Sequence, residues 1–351
     1  IKDTLKTTKT EEPSNFKIAF KKIEINNANL TYDDAKLGFI LKLKDLNHSS
    51  KGDMTAEVTT LKTKTYINEI DVVYGGIKYL SKSNAEVKLN LGMNLKEMKF
   101  TFEENETRLN QLFFNFEGFF TMLKEGGYDM DIKLKTDKTD FKNILSLVPS
   151  IYSKEFDKLQ SEGKFVLDGF VKGKYTNLEQ LPAFKLNLQV IKGMFKYPSL
   201  PNSVNNVNIN TTINNNGGNA DNTTINISKF HIEIANNPVD LTLYLSNPIS
   251  DPAINLNFST NLNFENINKI YPLEETKDLK GSLSSNITIK GKVSSIQQKK
   301  YNEFSASGFF ELSNFILKNK EYPQGINIKK SRFNFNPSFL ELAQFNMMIG
   351  K

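Results

Sequence analysis

The segment Ile254-Asn-Leu-Asn-Phe-Ser-Thr-Asn-Leu-Asn-Phe264 decides the fold of this chain. Its apolar residues fall at every second position, with Asn or Ser between most of them. A β-strand points successive side chains to opposite faces, so this segment predicts a strand with one apolar and one polar face. The same alternation predicts further strands at residues 87–91, 184–190, 239–245, 333–335 and 345–349.

Turn signals separate these runs and predict antiparallel hairpins. The clearest is Asn214-Asn-Asn-Gly-Gly-Asn-Ala-Asp221. Helix signals are few. Residues 139–148, with Asp140 as a candidate N-cap and Pro149 as the stop, predict one helix. Short helices are also predicted near 150–159 and at 265–270, before Pro272. These helices are expected once per repeat, as caps that are too few to cover a long sheet.

A ten-residue block occurs three times along the chain. The copies are Leu109-Asn-Gln-Leu-Phe-Phe-Asn-Phe-Glu-Gly, Ile227-Ser-Lys-Phe-His-Ile-Glu-Ile-Ala-Asn and Leu342-Ala-Gln-Phe-Asn-Met-Met-Ile-Gly-Lys. Two Lys-Gly pairs, Lys172-Gly173 and Lys290-Gly291, repeat at an offset of 118 residues. Repetition of this kind predicts supersecondary units stacked end to end, with an extended surface along which a ligand binds.

Three units are predicted from the strands that open them, at Phe16, Phe184 and Phe304. Residues 1–15 form a polar linker. Unit 1 spans 16–183 and is enlarged by extra hairpins near 37–84, unit 2 spans 184–303, and unit 3 spans 304–351 and is truncated. Because the chain starts at Ile1 and stops within the third block, we expect a piece of a longer protein, with an anchor or leader upstream.

Composition narrows the class of protein. Hydrophobic residues make up 38% of the chain, which suits sheets with one wet face. Cysteine is absent, so disulfides and thiolate metal sites are excluded. The net charge of +6 comes from interspersed charges rather than a basic stripe, so we expect no nucleic-acid partner. No apolar run is long enough to span a membrane as a helix.

The apolar face of a long antiparallel sheet must be covered. A second sheet can pack on it, the sheet can close into a barrel, or the sheet can curl into a trough that holds an apolar ligand. Periodicity alone leaves these three arrangements open.

Several phrases in the chain resemble the AsmA family of Gram-negative envelope proteins. They are Ile23-Glu-Ile-Asn-Asn-Ala-Asn-Leu-Thr-Tyr-Asp-Asp, Phe264-Glu-Asn-Ile-Asn-Lys-Ile-Tyr-Pro-Leu, Leu279-Lys-Gly-Ser-Leu and Ile287-Thr-Ile-Lys-Gly-Lys-Val. The resemblance implies a periplasmic β-rich body, an inner-membrane anchor upstream and a groove that carries phospholipid between the two membranes. It also implies kinship with bridge-like lipid transfer proteins. The Asn- and Lys-rich composition and the enlarged first unit depart from the family pattern.

The fold expected is therefore mainly β: an elongated, curved antiparallel sheet of stacked repeats that forms a hydrophobic groove, with a few short helices. The expected function is binding of phospholipid acyl chains, without catalysis or a cofactor. The alternative is a structural or protein-interaction module of the envelope with a dry core. The residues predicted to line the groove are Ile209, Ile213, Ile225, Ile227, Phe230, Ile232, Ile234, Leu241, Leu243, Leu245, Leu256, Phe258, Leu262, Phe333 and Phe335.

Residues that could carry chemistry are sparse. The only histidines are His48, predicted in a polar turn, and His231, predicted to face away from Phe230 and Ile232 in a strand. Two histidines cannot build a three-histidine zinc site. Asp129 and Asp131 share a strand face and could bind a hard cation, but such pairs are usually solvated. Asp33-Asp34 is interpreted as a turn. No phosphate loop or nucleophile elbow occurs.

Overall fold

The computed structural model describes residues 21–35, 38–53, 57–136, 139–148, 156–177, 180–198, 201–269, 276–336 and 339–349. About 75% of the chain is strand, and all the strands belong to one open, curved, 18-stranded antiparallel sheet. Two short helices accompany the sheet in these ranges. The predicted fold class, mainly β with an open curved sheet and few helices, is confirmed.

The strands follow one another closely along the chain. Their bounds are β1 Lys22–Asp34, β2 Phe39–Lys51, β3 Val58–Tyr74, β4 Ile77–Asn94, β5 Lys99–Leu109, β6 Leu112–Met122, β7 Tyr128–Lys135, β8 Thr139–Asp140, β9 Gln160–Tyr175, β10 Ala183–Lys196, β11 Val204–Asn215, β12 Thr223–Ile234, β13 Asn237–Ser246, β14 Ala253–Asn263, β15 Thr276–Lys292, β16 Ser305–Asn319, β17 Ile326–Asn336 and β18 Phe339–Ile349. The helices are α1 Phe141–Leu145 and α2 Val293–Gln297, and 3-10 turns cover Phe156–Lys158, Ala220–Asn222, Phe264–Lys269 and Tyr301–Glu303.

The sheet is a simple meander. Each strand pairs antiparallel with the next, except that β7 and β8 both pair with β9 and so share one position in the sheet. β1 and β18 are the two edge strands. With neighbouring strands about 4.8 Å apart, the sheet extends roughly 80 Å across its strands.

The register places the alternating apolar residues on one side of the sheet. We define the inner face as the side on which α1 packs, and the outer face as the opposite side. One cross-strand row of the inner face runs through Phe165, Val190, Ile209, Phe230, Leu241, Phe258, Ile287, Gly308, Phe335 and Leu340. Because this row runs across the strands, mainly apolar residues are neighbours from β9 to β18.

β-Bulges recur at equivalent places in the hairpins. In β1–β2 the amide N of Asn27, at φ 52°, donates to Oδ1 of Asn47 at 3.1 Å. In β10–β11 the amide N of Lys192, at φ 49°, donates to Oδ1 of Asn208, also at 3.1 Å. A left-handed residue opens the ladder, and the asparagine side chain supplies the acceptor that the opposite backbone no longer offers.

These bulges relate the successive units. Asn27, Lys192 and Asn314 have φ of 52°, 49° and 49° in β1, β10 and β16. The interval from β1 to β10 contains two more strand positions in the sheet than the interval from β10 to β16. The two Lys-Gly pairs lie in β9 and β15, each just before the strand ends. The enlarged first unit and the unit bounds stay predictions.

The repeated ten-residue block does not take one conformation. Ile227 to Phe230 and Leu342 to Phe345 each form a bulge inside a strand. Leu109 and Leu112 instead pair with each other across a two-residue hairpin turn, where Asn110 has φ 50°. The first copy is therefore not the structural equivalent of the other two, because Asn110 is buried and held by hydrogen bonds to Asn84 and Ser146.

The compact core of the described residues lies under α1. It contains Leu112, Phe141, Leu145, Phe156, Leu159, Phe165, Val190, Tyr197, Val204 and Val207. Elsewhere most inner-face residues are half-buried. The accessible surface is 22320 Å² for 39.9 kDa, whereas a compact monomer of this mass exposes about 14,400 Å². The sheet thus leaves much of its area uncovered.

The helix predictions need shortening. α1 covers five residues, and its N-cap Asp140 makes no side-chain capping bond; its carboxylate instead binds Lys164 Nζ at 2.7 Å. The helix predicted at 150–159 lies partly outside the described residues. Its described part contains the 3-10 turn Phe156–Lys158. The helix predicted at 265–270 is the 3-10 turn Phe264–Lys269. The predicted Asp33-Asp34 turn is wrong, because both residues end β1.

Candidate functional site

The inner face is the candidate site because it is both apolar and uncharged. Among the inner-face positions that pair in the ladders from β2 to β18, none is Lys, Arg, Asp or Glu. A soluble protein seldom exposes a contiguous apolar surface of this extent without a binding role. In the described ranges no second sheet covers it.

All fifteen predicted groove residues lie on this face, and all are half-buried. The register brings most of them into four shared rows. The first contains Ile213, Ile225 and Leu245, the second Ile227, Leu243 and Leu256, and the third Ile209, Phe230, Leu241, Phe258 and Phe335. Ile232 and Phe333 share the fourth row, Leu262 lies in another, and Ile234 ends β12.

Three of the predicted residues have a different environment from the rest. Ile209, Ile232 and Ile234 pack against the core under α1. We call α1 the first cap of the inner face. These three residues therefore contact the core under this cap as well as facing the groove. The 3-10 turn Phe264–Lys269 forms a second cap, where the rings of Phe264 and Phe315 meet edge-on with centroids 5.1 Å apart. Between the two caps, β11 to β14 present half-buried apolar side chains on the inner face.

The sequence reasoning left out the inner face of unit 1. The same face continues through Leu41, Leu43, Leu46, Ile67, Ile70, Val87, Leu89, Leu91, Phe100, Phe102, Phe116, Phe120, Met130, Ile132 and Leu134. Period-two alternation was already visible at 87–91 and could have identified these residues. The bulges at Asp45 and Lys82 break the alternation, so the face cannot be followed through them by counting alone.

Charges collect on the outer face and neutralise one another in short ladders. Lys88 Nζ lies 3.1 Å from Glu106 Oε2 and 3.8 Å from Glu86 Oε1, and the Glu106 carboxylate raises the pKa of Lys88. Arg332 Nη1 lies 2.9 Å from Glu311 Oε2. That hydrogen bond, helped by the charge of Lys330, lowers the pKa of the Glu311 carboxyl. The sheet therefore separates an uncharged face from a charged one.

The residues weighed for chemistry lie apart from one another. Asp131 Oδ2 pairs with Lys172 Nζ at 2.8 Å on the outer face, and this pair raises the pKa of Lys172. His231 faces outward as predicted, with Nδ1 2.7 Å from Asp240 Oδ1. The turn predicted for His48 is wrong. His48 lies within β2 on the inner face, with Nδ1 2.8 Å from Thr65 Oγ1 and Nε2 3.1 Å from Ser50 Oγ.

The described residues lack two further features. They contain no group of three or more His, Cys, Asp or Glu side chains placed to hold a metal ion. None of their helices has the length and hydropathy needed to cross a bilayer.

No protein-family model, curated protein or solved structure matches this chain. The geometry of the inner face is therefore the main guide to function. Such a face offers van der Waals contact and exclusion of water along its length, with few hydrogen-bonding groups. Its chemistry suits an aliphatic ligand lying across many strands.

Proposed function

We propose that this protein binds the acyl chains of lipids along the inner face and carries them without chemical change. The observation that carries the proposal is the continuity of the uncharged apolar face across the sheet, covered by helical caps at only two places in the described ranges. The resemblance to the AsmA family favours phospholipid as the ligand, the periplasm as the location, and an inner-membrane anchor elsewhere in the protein.

The energetics fit a sliding ligand. Each methylene moved from water onto an apolar surface gains about 0.8 kcal/mol. Successive cross-strand rows present similar residues, for example Ile227, Leu243 and Leu256. Wells of similar depth along the sheet let an acyl chain advance without a deep trap. The lipid headgroup would stay at the open side, in water.

The test measures bound lipid in the purified chain. Native mass spectrometry and solvent extraction should find co-purifying lipid with the wild type. Leu243→Asp and Phe258→Asp place a carboxylate on the inner face and should abolish it. The matched controls Thr242→Asp and Asn257→Asp change the adjacent outer-face residues, which pair with each other across β13 and β14, and should retain lipid.

Two results would contradict the proposal. One is a wild-type chain that neither co-purifies with lipid nor takes up added phospholipid from vesicles. The other is equal loss of lipid in the inner-face and outer-face variants. Either result favours the alternative of a structural or protein-interaction module of the envelope.

A further inference from the structure

Polar residues such as Thr107, Thr260 and Ser285 lie among the apolar residues of the inner face. At one position, which can be compared between units, this face carries an imidazole ring. In unit 2, three residues beyond the left-handed Asn206, the inner face carries Ile209, which pairs with Phe230. In unit 1, three residues beyond the left-handed Asp45, it carries His48, which pairs with Thr65. The same left-handed bulge is thus followed by an apolar cross-strand pair in unit 2 and by a hydrogen-bonding pair in unit 1.

We define the His48 station as His48, Ser50 and Thr65. Both ring nitrogens of His48 contact hydroxyls, Nδ1 with Thr65 and Nε2 with Ser50. A neutral imidazole donates one of these bonds and accepts the other, which leaves one hydroxyl proton free to point onward. A protonated imidazole donates both, so both hydroxyl protons become free. Protonation therefore turns the station into a cationic site with two hydroxyl protons available for donation, one of them on the buried Ser50.

Among the described residues, no other ionisable side chain of the inner face lies beside the station. Its row continues with Ile25 on β1 and Val87 on β4. The charged residues of the neighbouring strands near this row face outward, namely Lys22, Glu24, Lys62, Lys64, Glu86 and Lys88. Further along the row, the buried Thr107 hydroxyl has no hydrogen-bond partner among the described residues. This row of the sheet thus contains a hydroxyl group without a hydrogen-bond partner among the described residues.

We propose that the His48 station binds the two-oxygen anionic head of an acyl amphiphile, a carboxylate or a phosphodiester, while the chain lies along the inner face. Two hydroxyl donors match two acceptor oxygens, and the imidazolium supplies the compensating charge. The inference rests on the proposed function, because it requires acyl chains to bind. It adds a fixed point for the head at β2–β3, where binding is tighter when the imidazole is protonated, because the imidazolium adds a charge-assisted bond.

The experiment compares oleate with methyl oleate, which has the same chain and an uncharged head. Affinities are measured by calorimetry for the 351-residue chain at about pH 6 and about pH 8. Oleate should bind roughly tenfold more tightly at the lower pH, as expected for one added charge-assisted bond, whereas methyl oleate should bind equally at both. The same measurement with a lysophospholipid, which has a phosphodiester head, shows whether the station binds a phosphodiester or only a carboxylate.

The matched variant is the double change His48→Ile with Thr65→Phe, which copies the pair found in unit 2 and so preserves an apolar inner face. It should remove the pH dependence of oleate binding and leave methyl oleate binding unchanged. His231→Leu, on the outer face, is the control. Because the chain has only two histidines, isotope labelling gives two ring signals. In the wild type, oleate should shift that of His48 and not that of His231.

The outcomes separate the two proposals. If both ligands bind, but oleate shows no pH dependence and leaves the His48 signal unmoved, the station is wrong and the acyl groove stands. If neither ligand binds the wild type, the groove fails and the station fails with it. If the double variant unfolds, the wild-type pH dependence and ring signals still decide the question.

Discussion

A pair of hydrogen bonds between Asp251 and Ser294 joins two successive turns on the same side of the sheet, where the strands end. Asp251, in the β13–β14 turn, accepts a bond at 3.0 Å from the amide N of Ser294 and another at 2.9 Å from its hydroxyl, at the start of α2. On the preceding turn, Asp221 accepts bonds from the amides of Ile249 and Ser250. Aspartates thus connect three consecutive turns, which fixes the spacing of the strands where the sheet has no second layer.

The first prediction concerns acid stability. Hydrogen bonds from Ser294 lower the pKa of Asp251, and those from Ser250 and Ile249 lower the pKa of Asp221. An unfolded aspartate titrates near pH 3.9, so these groups stabilise the fold above that value. Their stabilisation is lost as the pH falls through the lower, folded-state pKa.

Asp251→Asn should therefore lower the melting temperature more at neutral pH than at acidic pH, because the stabilisation by the carboxylate is lost as the pH falls through its folded-state pKa. Glu97→Gln, in the exposed β4–β5 turn, is the matched control and should leave the melting temperature unchanged at both pH values. An equal effect of Asp251→Asn at both pH values would show that the carboxylate charge is not the source of the stabilisation.

The second prediction contrasts the open and the covered parts of the inner face. Leu243→Asp and Phe258→Asp place a carboxylate where water can reach it, so the variants should fold. Phe165 is 0% exposed beneath α1, and Phe165→Asp should unfold the chain because an unpaired buried carboxylate costs several kcal/mol. Circular dichroism and urea titration measure the difference. Unfolding of all three variants would mean that the inner face is dry throughout.

The third prediction concerns Asn110, which is buried in the β5–β6 turn. Its Nδ2 donates to the carbonyl of Ser146 at 2.7 Å, and its Oδ1 accepts from the amide N of Asn84 at 2.8 Å. Asn110→Gly keeps the left-handed conformation and should cost about 2 kcal/mol through the lost bonds. Asn110→Ala should cost about 1 kcal/mol more, because a Cβ disfavours that conformation. Equal losses in urea unfolding would contradict the backbone argument.

The fourth prediction is association through β18, which pairs with β17 alone. Its inner-face residues Leu342 and Phe345 are 49% and 55% exposed, and Glu341 is its one charged residue within the described range. An apolar edge without protecting charges is a template for another strand. Sedimentation of the 351-residue chain should show concentration-dependent association. Leu342→Lys with Phe345→Lys should suppress it, and Tyr79→Lys, an exposed change away from the edge, should not.

The fifth prediction concerns shape. A compact chain of 351 residues has a radius of gyration of about 20 Å. The open sheet should give a clearly larger value in small-angle scattering. A value near the compact one would contradict an extended sheet in solution.

Local sequence determined the strands and their faces. In residues 254–264 side-chain alternation is fixed by backbone geometry, so each apolar residue could be assigned to one face before any contact was known. The pairing of consecutive strands followed as well, since short turns such as that near Gly217 and Gly218 permit little else. Within each regular run the predicted groove residues share one face for this reason, whereas Ile227 and Phe230 share it only because of the bulge between them.

Only the tertiary structure decided what lies over that face and where the register shifts. The bulges at Asn27 and Lys192 depend on asparagines that arrive from the next strand, which no local pattern reveals. Ile209, Ile232 and Ile234 pack against the core under α1 because strand pairing brings residues that are distant in sequence together there. His48 looks like part of a polar turn in the sequence and becomes an inner-face residue only because Thr65, 17 residues away, lies beside it. Contacts between strands are non-local, and alternation along a single strand cannot specify them.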